Sequence, residues 1–271
     1  IEKGQLEPAL DRFAQFFVAP LFNEEYVERE KNAVHSEYQA KLKDDSRRTW
    51  AVMQSAANPE HPFSTFAVGS LETLADRPGA KVRDDLVKFY RRYYAARRMT
   101  VVVLGAEPLP TLRGWVEEKF AAVPNPEPAA IDIDVPMFRD ADLPARLDVK
   151  PVKDQRSVSL AFPLPPVREH ALVRPLDYIG NLVGHEGEGS LLSALKRAGW
   201  AEGLSAGAGM DSRDASTFAI NITLTPEGDR NVARVIDWTF AYLGLLQERG
   251  IEQWRYAEQQ QLGELRFRFE E

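Results

Sequence analysis

No glycine or proline interrupts the chain between Asn23 and Asn58. Those two residues disfavour a helix interior most, Gly through backbone entropy and Pro through its missing N–H. The run is filled instead with Glu, Lys, Arg, Gln and Ala, which predicts one helix over Glu24–Ala57. A helix turns once per 3.6 residues, so positions seven apart return almost to the same azimuth. Val27, Glu30, Val34 and Glu37 then share one stripe, half apolar and half acidic. Carboxylates on a face that also carries valines call for a partner, because an unpaired buried charge is costly.

Spacing alone leaves two partners open. Lys41 stands four residues after Glu37, the separation of an exposed helical ion pair. The other candidate is a metal ion. A catalytic zinc takes three protein ligands and keeps one position open. The chain has His35, His61, His170 and His185 and no cysteine, and no two histidines lie three or four apart. HEGEG at 185–189 begins like H-E-x-x-H, but Gly189 occupies the second histidine position and the glycines oppose a regular helix. It is not a zinc motif.

Other chemistries are narrowed in the same way. The absence of cysteine excludes disulfides and a cysteine nucleophile, and no serine sits in a G-x-S-x-G elbow. GHEGEGS at 184–190 opens a helix but lacks the Gly-Lys-Ser/Thr ending of a phosphate loop and carries Glu186 and Glu188. Two carboxylates would repel phosphate and suit a cationic group such as a free peptide amine. GLSAGAG at 203–209 is a small-residue strand, and glycines there mark close approach of another backbone. An extended peptide adding to its edge is one reading; a plain loop with helix-capping glycines is the other. The net charge of −7 argues against nucleic acid as a partner. No apolar run approaches the roughly 18 residues that span a bilayer, so no membrane partner is expected.

Organisation follows from periodicity and breakers. Helices are predicted at Leu6–Phe17, Val82–Tyr94 and 108–120, with a buried strand RMTVVVLG at 98–105. Residues 124–136 hold four of the 18 prolines and make the best boundary in the 271-residue chain. Beyond it come strands at 157–162, 203–209 and 215–225, and helices at 175–184, 190–199, 227–247 and 252–266. Each half mixes helices with strands, which predicts an α+β fold of two related layered domains, antiparallel-type sheet packed with helices. The chain opens on Ile1 without an initiator Met, so a longer gene product is expected.

ALDRFAQFFVAPLF (9–22), EREKNAVHSEYQ (28–39), NPEHPFSTFAVGS (58–70) and GHEGEGSLLSALKRAGW (184–200) together resemble the insulinase/pitrilysin family of inverted-motif zinc metallopeptidases. The resemblance is collinear over essentially the whole chain. It implies residues 1–123 as the C-terminal part of a first peptidase domain, 124–140 as a linker, and 141–271 as the N-terminal part of a second domain. In that family zinc is held by an H-x-x-E-H helix and by a glutamate from a later helix, which matches Glu37. The acidic position matching Glu30 orients the ligands from behind, and the motif glutamate activates the zinc-bound water. H-x-x-E-H itself does not occur in this sequence, so tight zinc binding by this chain alone is not expected. An exosite for the substrate amino terminus matches Gly184 and Glu186 in the glycine-rich turn and Leu204, Ser205, Ala206 and Gly207 in the docking strand. Trp50 matches an aromatic wall of the substrate pocket, with a core role the alternative.

The resemblance therefore implies a fragment of a zinc metalloendopeptidase, inactive alone, whose partners are peptide substrates and the remaining domains of the same polypeptide. Its rivals are a dedicated processing peptidase and a catalytically inactive member that binds peptides or serves as a structural subunit. Periplasm or cytoplasm of a bacterium is the expected compartment.

Overall fold

The computed structural model describes residues 1–2, 4–127 and 132–270. Among these residues ten α-helices and one three-stranded antiparallel sheet make an α+β fold. The chain divides into two compact units, residues 1–47 with 66–132, and residues 48–65 with 133–271. Residues 128–131, inside the predicted linker, lie outside the described residues. No described helix is long and apolar enough to cross a membrane.

The first unit opens with α1 (Leu6–Val18), whose Leu10 and Ala14 are buried. Phe13 and Phe17 meet Phe120 of a later helix at ring-centroid distances of 6.3 and 6.4 Å. Next comes α2 (Glu24–Lys41). The predicted single helix over Glu24–Ala57 is broken here: α3 (Asp45–Ser55) begins anew after Leu42–Asp44. The Asp44 carboxylate accepts the Arg47 N–H at 2.9 Å, so it caps a fresh helix start. The unit closes with α4 (Val82–Tyr93) and α5 (Leu109–Phe120). The predicted strand at 98–105 begins on the last residue of a 3-10 turn (Ala96–Arg98) and continues as irregular chain with no ladder partner among the described residues. Val102 and Leu104 stand 87% and 95% exposed, so the burial implied by that apolar run is not met within this unit.

The second unit holds the sheet. β1 (Ser157–Leu164), α6 (Pro175–Val183) and α7 (Leu191–Arg197) precede a long hairpin, β2 (Ala201–Asp211) and β3 (Ser216–Leu224). The order β1-β3-β2 puts β3 in the centre and leaves β2 at an edge. Alternation in STFAINITL sends Phe218, Ile220, Ile222 and Leu224 to one face. That face packs with Leu176, Val183, Leu191, Leu192 and Leu195 into one buried cluster. Burying side chains of this size contributes about 1.5–3 kcal/mol each. Asn231 (φ −119°, ψ 24°) splits the predicted helix at 227–247 into α8 (Pro226–Arg230) and α9 (Val232–Arg249). α10 (Gln253–Phe269) ends the chain.

Candidate metal-ligand helix and substrate edge

On α2 the predicted stripe exists, but its two chemistries separate. Val27 is buried and Val34 half-buried, whereas Glu30 and Glu37 are exposed. Glu30 stands on the wall of an apolar groove of about 860 Å³ lined by Phe16, Leu21, Val27, Val34, Leu74 and Leu86. The surface ion pair of Glu37 with Lys41 does not form, and the Glu37 carboxylate has no ion pair or hydrogen bond among the described residues. The neighbouring cation, Lys31, is committed to Glu28 at 2.8 Å. α2 is thus a helix carrying two open carboxylates seven residues apart. Among the described residues no group of three or more metal-ligating side chains comes together. One glutamate is not a zinc site.

In the second unit the glycine-rich segment and the small-residue strand meet. A β-carbon added at Gly180 would lie 2.9 Å from the Ala206 carbonyl oxygen and 3.0 Å from the Gly207 α-carbon. One at Gly184 would lie 3.5 Å from the Ala206 nitrogen. The backbone that approaches the strand is therefore that of α6, through two glycines one turn apart. Gly184 ends α6, and Ser190 caps α7 by accepting the Ser193 N–H at 3.1 Å. Helix capping and strand approach coexist in this loop.

Leu204 is buried, Ala206 and Gly207 are half-buried, and Ser205 and Glu186 face outward. Among the described residues β2 pairs with β3 along one side only, so its other edge offers backbone groups outside the ladder. Replacing Gly180 by valine should destabilise the second unit by about 2 kcal/mol, since the obstacle is strand backbone rather than a movable side chain. A lowered urea midpoint with faster tryptic cleavage would register it; an unchanged midpoint would show that α6 can move off β2.

Trp50, on α3, is half in contact and half in solvent, at 40% exposure. Its ring meets Phe63 edge-on at 5.3 Å, and Phe63 meets Phe138 at 6.2 Å. The wall and core readings both describe part of it. Residue-pattern reasoning missed one polar pair altogether. His61 Nε2 lies 2.7 Å from Asp214 Oδ2, with the imidazole 3% exposed. The signal at His61 was local, a histidine between Pro59 and Pro62, but its partner is 153 residues away.

Burial by itself would raise the Asp214 carboxyl, but hydrogen bonds from His61 and Ser212 outweigh it and hold it below its ordinary value. A carboxyl depressed in the folded state stabilises above its unfolded pKa and loses that contribution as pH falls through the folded one. The stability advantage of the native chain over Asp214→Asn should therefore be constant at neutral pH and shrink below about pH 4. Urea midpoints of both proteins between neutral and acid pH measure it, and an advantage that grows in acid would contradict the sign.

Two family models match the chain: insulinase (peptidase family M16) over residues 1–65 and the peptidase M16 inactive domain over residues 81–262. This chain belongs to the M16 peptidase family. The M16 chain is 37% identical over 274 residues to insulin-degrading enzyme of Drosophila melanogaster, covering 100% of itself and 28% of that protein. It is 39% identical to insulin-degrading enzyme of Homo sapiens, with 100% and 27% covered. It is 36% identical to the A-factor-processing enzyme of Saccharomyces cerevisiae, with 97% and 26% covered. The crystal structure of pitrilysin superposes with a TM-score of 0.91 at 31% identity, covering 99% of this chain and 29% of that one. This M16 chain thus spans less than a third of the length of the curated relatives it matches.

Proposed function

We propose that this chain is part of a zinc metalloendopeptidase, supplying the distal metal-ligand glutamate and a surface that holds the substrate amino terminus. Residues 1–123 are read as the C-terminal part of the first peptidase domain and 141–271 as the N-terminal part of the second, with the linker between. The observation that carries the reading is Glu37, an exposed carboxylate without an ion pair among the described residues, on a helix of an M16 chain. A side chain so placed adds nothing to the fold and is available to a ligand. Zinc, when held by Glu37 and by residues elsewhere in the polypeptide, would supply Lewis-acid activation of water and of the scissile carbonyl. Glu30, seven residues back, would orient the ligand set, and its position at an apolar wall favours an interaction with charge over free solvation.

The second unit supports peptide recognition by its free β2 edge. Backbone groups of Leu204–Gly207 can pair with an extended peptide, Ser205 points outward beside it, and the small side chains leave room. Glu186 in the adjoining loop offers an anion for a terminal amine. Trp50 would line the pocket with its exposed ring edge. The names of the relatives, insulin-degrading enzyme and A-factor-processing enzyme, support polypeptides as the substrate class.

The test uses the full-length protein and a peptide long enough to reach β2. Hydrolysis that stops on chelation and returns with zinc supports the peptidase. Binding without hydrolysis, with zinc present, would instead support a catalytically inactive member that binds peptides or serves as a structural subunit. Reading the sequence upstream of Ile1 for an intact H-x-x-E-H separates the two before any assay.

A further inference from the structure

We propose that His61 is a positioning residue that holds the β2 edge in place for peptide docking, a role that rests on the reading of β2 as the docking strand. Its imidazole is too deeply buried to touch a substrate, and no metal-ligating group of side chains surrounds it among the described residues. Both ring nitrogens are nonetheless engaged. Nδ1 accepts the Phe63 N–H at 3.0 Å, which puts the ring proton on Nε2, where it is donated to Asp214 at 2.7 Å. Turning the ring would break both bonds and leave the Phe63 N–H and the half-buried Asp214 carboxylate without them, so its orientation is set.

Asp214 belongs to the turn joining β2 to β3. Its second oxygen accepts from Ser212 Oγ at 3.0 Å, and the Ser212 N–H donates to the Ala215 carbonyl at 2.8 Å. A pull on Asp214 is therefore a pull on the whole turn. The turn needs it, because the β2 ladder slips register between Ala208 and Asp211, and Ala208 and Gly209 are exposed. The ladder resumes at its last pair, Asp211 with Ser216, so the end of this edge strand is tied to β3 only beyond an irregularity that bends and loosens it. The segment offered to a peptide, Leu204–Gly207, ends where that slip begins.

The other end of the tether is rigid. The Asn58 N–H donates to the Met137 carbonyl at 2.8 Å and its side-chain amide to the Pro136 carbonyl at 2.9 Å. Phe63 is wedged between Trp50 and Phe138. His61 thus joins the turn of the docking hairpin to the segment that also fixes Trp50, and aligns the two surfaces a peptide would meet.

The experiment measures, in the full-length protein with metal chelated, the Kd of a long peptide labelled at its C-terminus and of the same peptide lacking its N-terminal residues. Asp214→Ala and His61→Ala should weaken the long peptide about tenfold and leave the truncated one unchanged. Asp214→Asn keeps an acceptor for the Nε2 proton and should stay within about threefold of the native protein. Asp214→Ala, a change in a turn, carries the test if the hollowed His61→Ala does not fold. If Asp214→Ala binds both peptides as the native protein does, or weakens both equally, the positioning role is overturned while β2 docking stands. If the native protein itself binds the two peptides equally, the docking reading fails and this inference fails with it.

Discussion

Glu37→Gln in the full-length protein should lower peptide hydrolysis about a thousandfold, several kcal/mol of lost transition-state stabilisation. The amide keeps the shape of the side chain but surrenders the charge that a divalent cation requires of a carboxylate ligand. Bound zinc, measured by atomic absorption after dialysis, should fall with the activity. Stability should not: Glu37 is exposed and makes no ion pair or hydrogen bond among the described residues, so the change should stay within about 0.5 kcal/mol. Glu30→Gln, on the proposed reading of Glu30 as a carboxylate that orients the ligands, should cost only about ten- to hundredfold. Equal losses at both positions, or full zinc content in Glu37→Gln, would show that Glu37 is not the ligand.

Gly228→Ala should be the most destabilising single methyl in the second unit, by about 3 kcal/mol. The β-carbon would overlap the Trp200 carbonyl oxygen and come within 2.8 Å of the Trp200 carbonyl carbon. Neither atom can withdraw cheaply. The Trp200 carbonyl also accepts the Thr225 N–H at 3.1 Å, and Thr225 caps α8 by accepting the Gly228 N–H at 2.9 Å. The start of α8 is therefore seated on the entry to β2, and lifting it breaks a cap and a backbone bond together. Gly244→Ala, in α9 with nothing within 4 Å of the added carbon, is the matched control and should gain about 0.5–1 kcal/mol. Urea midpoints of the two variants should move in opposite directions; a neutral Gly228→Ala would mean that α8 is not seated as tightly as its geometry requires.

Most helices and all three strands were legible because their signals are local. Val82–Tyr93 and Leu109–Phe120 follow from apolar periodicity, and STFAINITL from clean alternation. The break at Leu42–Asp44 was less visible, since Lys and Asp are tolerated inside helices and only the Asp44 cap onto Arg47 distinguishes a new start. RMTVVVLG was read as a buried strand because an apolar β-branched run implies burial on both sides, whereas among the described residues it has no ladder partner, which the pattern of the run could not show.

The candidate site divides in the same way. Glu30 and Glu37 could be singled out from a seven-residue spacing and a resemblance, but an added β-carbon would meet nothing at Gly207 and only Thr223 at Gly203, so those glycines do not themselves admit a close backbone. That the approaching backbone is α6, through Gly180 and Gly184, was not readable, nor was the seat of α8 on Trp200.

By itself the sequence determined the helical identity of α2, the stripe on it, the alternation of β3 and membership of a peptidase family, all properties of neighbours within a few residues or of ordered motifs. Only the tertiary structure decided that β2 lies at an edge, that Glu37 makes no ion pair among the described residues, and that His61 closes on Asp214. The reason is physical. Periodicity and capping act along the chain, whereas strand order and buried hydrogen bonds depend on which distant surfaces exclude water together.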